Sequence, residues 1–327
     1  MADSVDVKLI NLNRIRREIY KVEECTKQSI VAKTGLSAAT CNTLLNELEN
    51  NGEIIGEKKK LNNVGRFTSV YRVNEGKELF LCIMLQLVDG EKLICYDVVS
   101  VTGKMMDFTE ESRELVTLED IVEKSKEFIK KYPQIIQIMV GIPGNISGSA
   151  VGVCDISELD GTDIGSALKE QLNLPVYVEN DVAYRAYGYY CKHYRTEGVF
   201  SFGIFPEFAR PGLMSVYTGK IIRGTNGFAG FLGYYKNFED SYFNEDNAEN
   251  LMFVCIAANI VMVNPDRIVL TGKLVTQELI EKVLSRCKEE TDIPPEYLPE
   301  IVYEPDIWAY YVDGMIEKAI DLKEIAI

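Results

Sequence analysis

Residues 26–73 constrain this chain most. They hold two helical periods broken by Gly35-Leu36-Ser37, followed by two short strand patterns around a basic tip. Ile30, Val31 and Leu36 supply apolar contacts before and within the break. Cys41, Leu44, Leu45 and Leu48 then recur at helical spacing. Ser37 stands where an N-cap is needed, because its hydroxyl can accept an orphan amide of the second helix. The other face of that helix is small and polar, with Ala38, Ala39, Asn42 and Thr43. Such a face lets a helix N-terminus enter the DNA major groove.

The segment after the two helices points the same way. Asn51-Gly52 closes the second helix. Glu53-Ile54-Ile55 alternates into a strand, Lys58-Lys59-Lys60 forms a cationic tip, and Val64-Gly65-Arg66-Phe67 leads into a second strand over 69–73. This is the pattern of a β-wing whose cations touch phosphate or the minor groove. The plainer alternative is a helical hairpin that packs on another part of the chain. The expected DNA contacts are Ser37, Ala39, Thr40, Asn42 and Thr43 on the helix, with Lys58, Lys59, Lys60 and Arg66 on the wing.

Charge divides the chain at the same place. Residues 1–75 carry 12 Lys plus Arg against 10 Asp plus Glu, whereas the rest carries 23 against 40, or −17. An acidic body repels a polyanion, so DNA affinity belongs to the N-terminal module and is gained by pairing two modules on two half-sites.

Several function classes are disfavoured. No apolar run approaches the ~20 residues that span a bilayer, and the N-terminus lacks the apolar core of a secretory signal. The expectation is a cytoplasmic protein with no membrane partner. Eight scattered cysteines without a C-x-x-C pair read as buried thiols. A single histidine, His193, argues against a His-based metal site or catalytic dyad.

After residue 75 the pattern becomes α/β. Strand patterns at 78–86, 92–101 and 102–113 precede a helix at 118–132, a strand at 135–142, a helix at 163–172, a strand at 176–178 and a helix at 182–194. That order resembles one lobe of the actin, hexokinase and Hsp70 architecture. Residues 198–322 read as its repeat. The expectation is therefore an α/β chain. A winged helix-turn-helix occupies 1–75, and a two-lobed actin/hexokinase-like, ribonuclease H-like, ATPase-type fold occupies 76–327. Its lobes span about 76–180 plus the C-terminal helix, and 181–305.

Specific motifs narrow this further. They are Thr34-Gly35-Leu36-Ser37, Gly65-Arg66, Gly141-Ile142-Pro143-Gly144-Asn145, Glu179-Asn180-Asp181, Gly227-Phe228-Ala229-Gly230-Phe231-Leu232-Gly233-Tyr234 and Pro265 to Gly272. With them the chain resembles the ROK family of repressors and sugar kinases, in its repressor branch. The resemblance implies a transcriptional regulator that binds double-stranded DNA as a homodimer or homotetramer. Its body would sense a sugar-like effector.

The chain departs from the kinase pattern of that family. The resemblance implies an Asp and a Gly-Gly-Thr turn after the first strand. Here the Asp position falls near Met84, and Gln86-Leu87-Val88-Asp89 replaces the turn. Glycines let backbone amides approach phosphate oxygens, and Leu87 and Val88 do not. The second phosphate loop reads IFPEFARPG, where prolines delete amide donors and Glu207 adds negative charge. ATP binding is read as lost, with no cofactor and no enzymatic activity. Asp181 keeps the position of the family's general base; equally, Glu179-Asn180-Asp181 suits the cap of the next helix. Phe231 and Tyr234 replace a Glu and a His that would hold sugar hydroxyls. The expected effector contacts are Asn145, Glu179, Asn180, Asp181, Phe231 and Tyr234. The family's zinc cluster is absent after Tyr235, so no metal is expected. Two alternatives remain: a sugar kinase with an appended DNA module, and a pseudo-enzyme scaffold with a protein effector.

Overall fold

Three helices open the chain, and the second and third each begin at a side chain that takes an unpaired amide. The computed structural model describes residues 4–60, 67–88, 90–195, 197–207, 209–234 and 242–325. Helix α1 (Ser4–Tyr20) precedes the two-residue strand β1 (Cys25–Thr26), α2 (Lys27–Thr34) and α3 (Ala38–Asn50). Thr26 and Ser29 cap α2 reciprocally. Gly35, at φ +68°, ends it in a left-handed conformation that costs a side-chain-bearing residue ~1 kcal/mol or more. Ser37 caps α3 by accepting the Thr40 amide at 3.1 Å. Strands β2 (Ile54–Lys60) and β3 (Phe67–Val73) pair antiparallel, and β1 adds to the far side of β3. The apolar faces of all three helices meet at Ile15, Ile19, Ile30, Leu45 and Leu48, each fully buried.

The remainder is built on two five-stranded sheets. In the first, β4 (Leu79–Val88), β5 (Glu91–Ser100) and β6 (Met105–Arg113) form an antiparallel meander. Helix α4 (Leu118–Lys131) then returns the chain to β7 (Ile135–Ile142), parallel to β4. A small hairpin, β8 (Gly144–Ser147) with β9 (Ala150–Cys154), and helix α5 (Ile164–Leu172) lead to β10 (Val176–Asn180). The order is β10-β7-β4-β5-β6. Residues 79–85 are apolar without alternation because both faces of β4 are covered.

Helix α6 (Asp181–Tyr189) crosses to the second sheet. There β11 (Val199–Ile204), β12 (Gly212–Tyr217), β13 (Lys220–Ile221), α7 (Ala248–Val263), β14 (Arg267–Thr271), α8 (Gln277–Glu289) and β15 (Glu300–Tyr303) come in chain order. The sheet order is β13-β12-β11-β14-β15. The closing helix α9 (Trp308–Ile325) returns to pack on α6. Their crossing is as close as backbones allow. A Cβ on Gly188 would collide with Tyr310 O, and one on Gly314 with Tyr184 O.

α9 also fastens the N-terminal unit. Arg17 of α1 pairs with Asp321 at 2.6 Å and with Glu324 at 2.8 Å, and Lys323 pairs with Glu78. One apolar cluster runs without a break from Ile15 and Leu45 to Met315 and Ile316.

Candidate functional sites

The small face of α3 points outward. Ser37, Ala39, Asn42 and Thr43 are exposed and Thr40 is half-buried, while Cys41, Leu44, Leu45 and Leu48 turn inward. The N-terminal turn holds no acidic residue, so the positive end of the helix dipole is unmasked. The hydroxyls are partly committed. Ser37 Oγ lies 2.9 Å from Thr40 Oγ1, and Thr43 Oγ1 donates to Ala39 O at 3.2 Å. Lys27 Nζ donates to Asn42 Oδ1 at 2.9 Å, which adds a cation to this face that spacing alone did not identify.

On the hairpin the three lysines differ. Lys58 is exposed and forms no ion pair among the described residues. Lys59 pairs with Glu24, and Lys60 lies 5.2 Å above the Phe67 ring. A run of like charges at a strand end thus recruits its own neighbours: one lysine is neutralised and another stacks. Arg66 lies outside the described residues.

A second group of candidates gathers where the two sheets meet. Asn180 caps α6, its Oδ1 accepting the Ala183 amide at 2.9 Å while its Nδ2 donates to Gly144 O at 3.0 Å. Asn145 is buried, accepts the Val153 amide at 2.7 Å and donates to Asn226 O at 3.3 Å. It therefore ties the β8–β9 hairpin to the segment after β13.

Asp181 is held by its own helix. Arg185 Nη1 contacts Oδ2 at 2.6 Å, and Asn180 Nδ2 donates to Oδ1 at 3.2 Å. Burial pushes the carboxyl up from its ordinary range, and the Arg185 charge opposes that. The other arm of Arg185 donates to Gln86 Oε1 at 3.2 Å, and the guanidinium lies 4.0 Å over the Tyr311 ring. A fixed internal cation thus joins Asp181 to the end of β4.

The other candidates have different surroundings. Glu179 accepts from Arg223 Nε at 2.8 Å, from Tyr177 Oη at 3.2 Å and from the Asn180 amide at 2.9 Å. It links β10 to the second sheet. Phe231 and Tyr234 pack with Phe228, at 5.0 Å near-parallel and 5.3 Å edge-on between Phe228 and each of them. Arg210 stacks 4.3 Å over Tyr234. Asp155, near Asp181 and Arg210, has its pKa pushed up to about 6 by burial and by Asp181. Arg185, Arg210, Arg223 and Asp155 were not among the residues expected from the sequence. Only Arg185 had a local signal, four residues after Asp181 on one helix face.

Comparison with known proteins places this geometry. Residues 93–245 match the profile of the ROK family. That stretch is similar to the ROK family. The xylose repressor of Bacillus subtilis (strain 168) is 23% identical over 248 residues, covering 72% of this chain and 62% of that protein. The xylose repressor of Caldicellulosiruptor bescii is 27% identical over 258 residues, covering 73% and 62%. The chain thus spans about three fifths of the length of the curated relatives it matches. Among solved structures, a ROK family transcriptional regulator described as a homolog of the E. coli MLC protein superposes with a TM-score of 0.75 at 15% identity. That match covers 98% of this chain and 99% of the other. The ROK hexokinase of Thermus thermophilus gives 0.56 at 14% identity, covering 75% and 99%. These likenesses show a shared α/β fold with mixed sheets. Among the described residues no helix is long and apolar enough to cross a membrane.

Proposed function

We propose that this protein is a sequence-specific DNA-binding transcriptional regulator, a repressor whose ROK body senses a sugar or related small molecule without phosphorylating it. Residues 1–75 form its winged helix-turn-helix, with α3 as recognition helix and β2–β3 as wing. Residues 76–327 form the effector and oligomerisation domain. The observation that carries this reading is the outward face of α3: small side chains, a dipole end free of acids, and a hairpin with an exposed Lys58 alongside. The names of the matched repressors and the regulator that superposes over nearly the whole chain support it. The kinase alternative draws on Asp181. A carboxylate fixed by Arg185 on one oxygen and by Asn180 on the other has little freedom to take a substrate proton.

The test is selection of genomic fragments by the purified protein, then anisotropy titration of the best fragment. Asn42→Ala with Thr43→Ala is expected to weaken specific binding by about 30-fold or more, since each of the two base contacts contributes ~1–3 kcal/mol. Binding to unrelated DNA should change little. Equal loss on both DNAs would remove α3 from base reading. In the same preparation, millimolar Mg-ATP should leave the melting temperature unchanged, because only a ligand of the native state raises it.

A further inference from the structure

An ammonium in the first turn of a helix is opposed by the helix dipole. Lys27 opens α2 all the same, directly after the cap at Thr26. Neither α2 nor α3 has an acidic residue in its first turn, and Lys27 pairs with no carboxylate among the described residues. What it meets instead is the outward face of α3. Its Nζ donates to Asn42 Oδ1 at 2.9 Å, between residues 15 apart in the chain.

That contact fixes which end of the Asn42 amide is turned away. An ammonium carries donors and no acceptor, so the atom that faces Lys27 is the carbonyl oxygen. The NH2 group lies on the other side of the amide carbon. Asn42 is exposed and Lys27 is half-buried. Apart from Oδ1, the pair presents donors alone: the two protons of Nδ2, and the two on Nζ that Asn42 does not take. Oδ1 itself lies against a positive charge.

Base edges respond differently to such a pair. In the major groove guanine offers two acceptors, N7 and O6, whereas adenine offers the acceptor N7 beside the donor N6. Asparagine reads adenine by giving Nδ2 to N7 while Oδ1 accepts from N6. The second of those bonds needs the oxygen that Lys27 holds. It would also bring the N6 donor towards an ammonium, where positive charge meets positive charge.

We infer that Lys27 is a positioning residue for base reading: it holds Asn42 as a donor, so that the base facing Asn42 is guanine and not adenine. The inference rests on the DNA-binding reading of α3 given above. Thr43 beside it has the opposite polarity. Its hydroxyl proton goes to Ala39 O at 3.2 Å, which leaves Oγ1 an acceptor. A change at Lys27 should therefore be felt at the Asn42 position alone.

The full-length protein is used to select sites from a randomised DNA library, and sequencing of the bound fraction gives base preferences. Asn42→Ala locates the position concerned, as the one where preference is lost. There the wild type is expected to favour guanine over adenine. Lys27→Met keeps a long unbranched side chain and removes its donors. It should shift that ratio towards adenine roughly tenfold, about the effect of one discriminated base contact, and leave the other positions unchanged. Lys27→Arg keeps donors for Oδ1 and should keep guanine. A contact that merely joins α2 to α3 would lower the melting temperature of Lys27→Met and leave base preference untouched, so both are measured. Adenine at that position in the wild type, or a guanine preference that survives Lys27→Met, would overturn the inference while the DNA-binding reading stands. A wild type that selects no sequence would overturn that reading, and this inference with it.

Discussion

A guanidinium four residues after a carboxylate on one helix changes what that carboxylate can do. Arg185 holds Asp181 and Gln86 at once, so a position that could act as a base becomes part of a buried bridge. Asp97 gives the residue scale a sharper test. It is buried on β5, and burial first, then Glu110, pushes its pKa up to about 6 from 3.8. A raised carboxyl pKa contributes stability below pH ~4 and loses it as pH rises through 6. Keeping the charge at pH 7.5 therefore costs on the order of 3 kcal/mol. Asp97→Asn should raise the melting temperature by several degrees at pH 7.5, with the gain gone at pH 4. An equal gain at both pH values would show that the charge is not what burial penalises. Legibility in the sequence tracks the range of the interaction. Ser37 and Asn180 were readable because a cap acts on an amide three residues away. The Arg223–Glu179 link was not, because its partners are 44 residues apart and meet only when the two sheets do.

At the scale of elements, α9 joins the two candidate sites. Asp321 accepts from Arg17 of α1 and from Tyr187 of α6. The glycine crossing of α6 and α9 leaves no room for independent sliding. α6 begins at Asn180 and Asp181, and α1 packs against α2 and α3. A shift at the sheet junction thus has a stiff route to the proposed recognition helix. The measurement is a double-mutant cycle on DNA affinity. Asp181→Asn should alter affinity in the wild-type background and do so several-fold less once Asp321→Asn is present. Strict additivity would mean that the contacts hold the helices together without transmitting anything. The main strands of both sheets were legible as apolar runs bounded by turn residues. The β8–β9 hairpin was not, because strands of four and five residues around Gly148 are too short for a period to show.

Across the whole molecule, charge and apolar surface are segregated, and the two proposed associations should answer salt in opposite ways. The acidic body opposes its own pairing, and screening over a Debye length of ~10 Å at 0.1 M relieves that repulsion. Pairing of two acidic bodies should therefore tighten as salt rises. DNA binding runs the other way, because each phosphate contact releases counterions and log K falls with log salt. At protein concentrations near the dimer dissociation constant, DNA affinity should pass through a maximum with increasing salt. At high protein concentration, where every chain is paired, it should fall monotonically. Anisotropy titrations from 20 to 300 mM salt (about the accessible range for such contacts) at two protein concentrations distinguish these cases. A monotonic fall at both would mean that pairing is already complete when dilute, or that DNA binding does not require it. Mass photometry of the same samples separates those two causes.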